Sequence, residues 1–188
     1  MLVYTREKIL DHLQQTPALI DRYQRRDPSF PAAVLAWLSA VEDTLGQLRL
    51  PLASLVAAER GRILAVGDGY RDPALFGERL SPRMATRALA SLALLRVQEV
   101  LRARLAEIEA QFAAWREKMS QFLAIATTKV PIPLPPTEPR DAWLESVWRG
   151  LNVNGEVQGM YRYLGAAMQP ADRLCLLDEV LGNLLAAL

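Results

Sequence analysis

PRMATRALASLALLRVQEVLRARLAEIEAQFAAWREKMSQFLAIA, running from Pro82 to about Ala126, decides the fold, because after its opening proline it contains no Gly or Pro. An unbroken helix of that length would extend about 70 Å at 1.5 Å per residue, far beyond the usual three turns or so. Leu94, Leu101, Ile108, Trp115 and Phe122 recur every seven residues, and Leu105, Phe112, Met119 and Ala126 fall four residues after four of them. A stripe of this kind is the seam of a coiled coil or helical bundle. The sequence therefore predicts an all-α helical bundle built around one long central helix with a coiled-coil-like seam.

The first half of that helix reads differently. Ala88–Leu95 is apolar on nearly every face, which predicts burial from all sides. Met84, Ala88, Leu92 and Leu95 centre more than about 90° from the Leu94–Leu101–Ile108 stripe at 100° per residue. The two halves are thus expected to pack against different partners, with the N-terminal helices assigned to the first half.

Upstream, Thr5 is placed to cap a first helix, and Thr16-Pro17 reads as a cap followed by Pro at the start of a second short one. Asp27-Pro28-Ser29-Phe30-Pro31 is a turn and a restart. Val34, Leu38, Val41, Leu45 and Leu48 then alternate by three and four until Pro51 breaks or kinks the pattern. Leu52, Leu55, Val56, Ile63 and Val66 continue it more weakly, and Gly67–Pro73 is a loop. Downstream, five prolines between Lys129 and Arg140 exclude helix and central strand and predict an extended connector. Asp141, the Asn152–Gly155 turn and Pro170 delimit three C-terminal helices. The expected organisation is a helical bundle over 1–128, a Pro-rich connector over 129–140 and a three-helix cap over 141–188.

Composition agrees with a globular chain: 188 residues, 51% hydrophobic and 23% charged, with a net charge of +1. One cysteine, Cys175, permits no intramolecular disulfide. No apolar run approaches the roughly 20 residues of a membrane span, and the start of the chain lacks a signal-peptide core. The expected location is cytoplasmic.

Catalytic classes fail largely by inventory. His12 is the sole histidine, so zinc sites and Glu-x-x-His di-metal bundles find no ligand set, and no Gly-x-Ser-x-Gly elbow occurs. Gly67-x-Gly69 lacks the third glycine of a dinucleotide loop. No cofactor or metal is expected. Arg6 and His12, separated by five residues, resemble the Arg-x4–6-His pair of the HEPN ribonucleases. That resemblance implies a helical bundle whose dimer joins two such pairs. Glu7 stands where that family usually has a polar, often amide, residue, and on a straight helix the two side chains diverge by about 120°.

Two features remain as binding candidates. Nine arginines between Arg60 and Arg104 face only four carboxylates, and Arg79, Arg83 and Arg87 lie around the positive end of the long helix, where an anion or acidic partner would bind. Leu101, Ile108, Phe112, Trp115, Met119 and Phe122 form either core under the C-terminal helices or an interface for another chain. Pro133-Leu134-Pro135-Pro136 is a P-x-x-P string without a suitably placed basic residue, and reads as a packed connector. The function expected from this balance is a non-enzymatic adaptor, assembly subunit or regulator in a cytoplasmic multiprotein complex, self-associating or partnered through the long helix. The alternative is a nucleic-acid- or phosphate-binding subunit using the arginines.

Overall fold

The computed structural model describes residues 1–70, 72, 75, 80–128, 131–133, 140–153, 155 and 157–186. Among them are seven α-helices and no strand: α1 (Leu2–Gln24), α2 (Phe30–Gln47), α3 (Leu52–Gly67), α4 (Pro82–Ala126), α5 (Arg140–Gly150), α6 (Gln158–Ala167) and α7 (Pro170–Ala186). The long central helix is α4, 45 residues without a break. Most of the Pro-rich connector, including residues 134–139, lies outside the described residues. Two compact units divide the chain, one of Thr5–Ala106 and one of Met1–Tyr4 with Glu107–Leu188, and the division falls within α4.

One expectation at the N-terminus is overturned. α1 does not restart at Thr16-Pro17; it runs through Pro17. Proline has no N–H to offer the carbonyl of Leu13, and the Thr16 hydroxyl donates to that carbonyl instead, at 2.8 Å. The same hydroxyl oxygen accepts from Gln98 Nε2 of α4 at 3.0 Å, so the repaired turn also anchors the long helix.

α1, α2 and α3 end in the same way. Asp27 N–H donates to Arg22 O and Arg26 N–H to Tyr23 O; Leu50 with Leu45 and Arg49 with Gly46 repeat the pattern, as do Tyr70 with Ala65 and Gly69 with Val66. This paired bonding needs one left-handed residue. Gly69 fills that place at φ +96°, but Arg26 and Arg49 adopt φ 56° and 55° despite their Cβ atoms.

In the unit Thr5–Ala106, the core holds Ile9 and Leu19 of α1, Val34, Trp37, Leu38, Val41 and Leu45 of α2, and Val56, Ile63 and Val66 of α3. α4 adds Leu89, Ala90, Ala93, Leu94, Val97 and Leu101. These residues continue the later seam backwards, so the expected change of face between the two halves of α4 does not occur. Met84, Leu92 and Leu95 are exposed, and the predicted all-round burial of Ala88–Leu95 fails. A buried polar line accompanies this core. Trp37 Nε1 donates to His12 O at 3.1 Å, and His12 Nε2 lies 2.9 Å from Thr44 Oγ1.

In the other unit, Ile108, Phe112, Trp115, Met119 and Phe122 of α4 are buried with Trp143, Leu144, Val147 and Trp148 of α5, Leu164 of α6, and Leu177 and Leu181 of α7. Phe122 meets Trp148 at 5.8 Å and Tyr161 at 6.4 Å between ring centres, and Trp148 stacks on Tyr161 at 4.5 Å. Arg173 of α7 covers Trp148 at 4.8 Å. Arg116 forks onto Glu179 through Nε at 2.6 Å and Nη2 at 3.1 Å, joining α4 to α7. Asp172 is buried and accepts from the Leu2 and Val3 amides, both at 2.9 Å, which ties the start of α1 to the start of α7. A carboxylate held against free helix-start amides is charge-stabilised there.

Candidate functional site: the outer face of the long helix

α4 carries two apolar rows. The inner row is the seam. Leu101, Ile108, Phe112, Trp115, Met119 and Phe122 are all buried in the chain, none more than 7% exposed. The outer row begins at Met84, which is 58% exposed, and continues through Leu92 and Leu95 at 48% and 52%. Ala88 and Ser91 lie half-buried along it, followed by exposed Glu99, Arg102 and Ala106. From Ala88 onward the row Ala88, Leu92, Leu95, Glu99, Arg102, Ala106 alternates by four and three, the spacing of a helix-pairing seam. All of it lies in the unit Thr5–Ala106.

Exposed leucines one turn apart keep ordered apolar surface in water, an unfavourable arrangement for a chain with no other use for it. Glu99 and Arg102 sit at the C-terminal end of this patch. Neither makes an ion pair with the other or with another described residue. The sequence reading missed this row by classing the whole Ala88–Leu95 octet as buried. The signal was available: charges at positions 99 and 102, where the row continues, mark that face as turned to solvent.

Several arginines of the section are bonded within the chain. Arg87 donates through Nη1 to Asp27 O at 2.9 Å and through Nη2 to Tyr23 O at 2.6 Å. Its guanidinium lies over the Tyr23 and Phe30 rings at 4.9 and 5.3 Å. It caps the C-terminal end of α1, where a cation and fresh donors are both favourable. Arg60 donates to Glu42 at 2.8 Å. Arg62 forks onto buried Asp72 at 2.9 and 2.8 Å and reaches Glu59 at 3.0 Å. Arg96 adds a second donor to Glu59, at 2.8 Å. The bond to Asp72, and then the charge of Glu59, hold the Arg62 guanidinium protonated more firmly than an ordinary arginine. Arg83 is exposed, and Arg79 lies outside the described residues.

Arg6 and His12 are not brought together. Arg6 is exposed, whereas His12 faces the core. Thr44 directs its hydroxyl hydrogen to Ala40 O at 2.9 Å, so the oxygen is left to accept from His12 Nε2–H. The neutral Nε2–H tautomer follows, with Nδ1 buried and unbonded. Burial pushes the His12 pKa down, Asp11 opposing and Lys8 assisting. No group of His, Cys, Asp and Glu among the described residues is arranged to hold a metal ion. No helix among them is long and apolar enough to cross a membrane. No protein-family model, curated protein or solved structure matches this chain.

Proposed function

We propose that this protein is a non-enzymatic helical interaction module, an adaptor or assembly subunit, that docks a protein partner on the outer face of α4. The observation that carries the reading is the exposure of Met84, Leu92 and Leu95 on a helix whose opposite face is core. The inner face and the bonds from Arg87, Gln98 and Arg96 to α1, the α1–α2 turn and α3 hold α4 in place, which makes its outer face a rigid platform. A preformed apolar strip on a rigid helix loses little conformational entropy on binding. The mode is that of helix-to-helix docking, with anchors at three- and four-residue spacing.

The placement of the titratable groups supports a binding rather than a catalytic role. His12, Asp172, Glu59 and Asp72 are directed into bonds that hold helices or turns. The test is affinity capture from the native cell with the full chain as bait, repeated with Leu92→Glu/Leu95→Glu. The expected result is a reproducible protein partner that the double variant loses while its circular dichroism stays unchanged. Recovery of the same partner by both baits would refute this docking face.

A further inference from the structure

We propose that His12 is a proton-operated latch: a proton added to its ring releases the Thr5–Gln24 stretch of α1 from α2 while the rest of that unit stays folded. The device is independent of the docking face on α4. The buried faces of the helices point to it. α1 buries Thr5, Ile9, His12, Thr16 and Leu19, at alternating spacings of four and three. Three of these five are polar, whereas α2 buries Phe30, Val34, Trp37, Leu38, Val41 and Leu45, all apolar. Apolar burial is the main force that holds a helix in a bundle, so α1 depends more than α2 on side-chain bonds. Those bonds centre on His12. Its Nε2 lies 2.9 Å from Thr44 Oγ1, its carbonyl accepts from the Trp37 indole at 3.1 Å, and one turn on Thr16 accepts from Gln98 of α4 at 3.0 Å. A helix with few buried apolar contacts is the element that opens first.

Only the neutral imidazole fits the closed form. Nε2–H donates to Thr44, whose own hydrogen goes to Ala40 O at 2.9 Å, and Nδ1 is buried with no partner. A proton on Nδ1 creates a second N–H without an acceptor and a cation out of water. No described carboxylate bonds to the ring. Asp11 and Lys8, its neighbours on α1, act on it in opposite senses and bond to each other at 3.3 Å. On α2, Glu42 is committed to Arg60 of α3 at 2.8 Å and Asp43 is exposed; α4 offers the neutral Gln98 amide to Thr16. Once α1 lifts away, water solvates both ring nitrogens and His12 titrates at its ordinary value. Burial holds the closed form below that value, so the closed form is fully favoured above about pH 6.5 and loses ground as pH falls through the lowered one.

Residue-resolved amide hydrogen exchange of the full chain from neutral to mildly acidic pH, corrected for the pH dependence of intrinsic exchange, tests this. The opening equilibrium of the α1 amides between Ile9 and Leu19 should rise by up to about 10-fold per pH unit below about pH 6.5, the limit for one proton. Amides in the middle of α2 and α3 should keep their protection over the same range. The Trp37 indole N–H, whose acceptor is the His12 carbonyl, should lose protection in step with α1. His12→Gln should remove the pH dependence. Thr44→Val deletes the acceptor but leaves the imidazole, so it should raise α1 opening about 5-fold at neutral pH and keep the pH dependence. This second variant carries the test if His12→Gln folds poorly. Protection of α1 that does not change with pH in the wild-type chain overturns the inference. So does a loss shared equally by α1, α2 and α3, which is global unfolding, or a pH dependence that persists in His12→Gln.

Discussion

Leu94 and Leu95 are neighbours on one helix, yet the first is 2% exposed and the second 52%. The difference is set by the row each belongs to. Leu94 continues into Leu101, Ile108, Trp115 and Phe122, an apolar line that persists to the end of α4. Leu95 continues into Glu99, Arg102 and Ala106, a line that turns charged within one turn. Burying that second line inside a unit would strand two charges, so the fold keeps it outside. An apolar side chain is thus committed to the core by its neighbours along the helix, not by its own hydrophobicity.

Alanine substitution is the sharpest way to break this comparison. Leu101→Ala should cost about 2–5 kcal/mol, the range for emptying a packed leucine site. Leu95→Ala should fall within about 0.5 kcal/mol of wild type, as for exposed positions. Urea unfolding midpoints check both, and similar losses at the two sites would mean that the rows are not distinct.

The polar residues extend the contrast. Asp172→Ala removes the shared acceptor of the Leu2 and Val3 amides and should lower stability by about 1–3 kcal/mol. Arg102→Ala, on the outer row, should leave the thermal midpoint of the dilute protein unchanged. Equal effects would show that exposure does not separate structural from surface charges.

His12 adds a pH dependence that belongs to the interior alone. Burial lowers its folded pKa below the ordinary histidine value, so the unfolded chain binds the proton more readily. Its contribution is present in full above about pH 6.5 and is lost as pH falls through the lowered folded value. Stability measured from neutral to mildly acidic pH should therefore decline, and His12→Gln should flatten that decline. An identical slope in the variant would place the titrating group elsewhere.

The smallest effect concerns the helix ends. Arg49 occupies a left-handed position that favours glycine, and Arg49→Gly should raise stability by about 0.5–1 kcal/mol. A loss instead would show that the Arg49 side chain contributes more than its backbone conformation costs.

Much of this architecture is legible in the sequence. The 3–4 alternation from Val34 to Leu45 and the heptads from Leu94 to Phe122 each name a buried face, because one periodicity explains every position. The reading fails where local signals compete. Thr16-Pro17 has the form of a helix start, but a hydroxyl three residues from an orphaned carbonyl can repair the turn, and Gln98, 82 residues away in sequence, bonds to that hydroxyl. In Ala88–Leu95 no period stands out, since apolar residues occupy every face; the assignment needed Glu99 and Arg102 beyond the octet. Arg87 illustrates a third kind of limit. Its carbonyl partners, Tyr23 and Asp27, lie more than fifty residues away in sequence, and no local pattern announces them.

Thiol labelling compares the two rows most directly. Leu95→Cys and Leu101→Cys would each be made with Cys175→Ser, and their reaction rates compared. Leu95→Cys should react like a free surface thiol, and Leu101→Cys at least about 100-fold more slowly, limited by opening of the fold. Equal rates at the two positions would contradict the account.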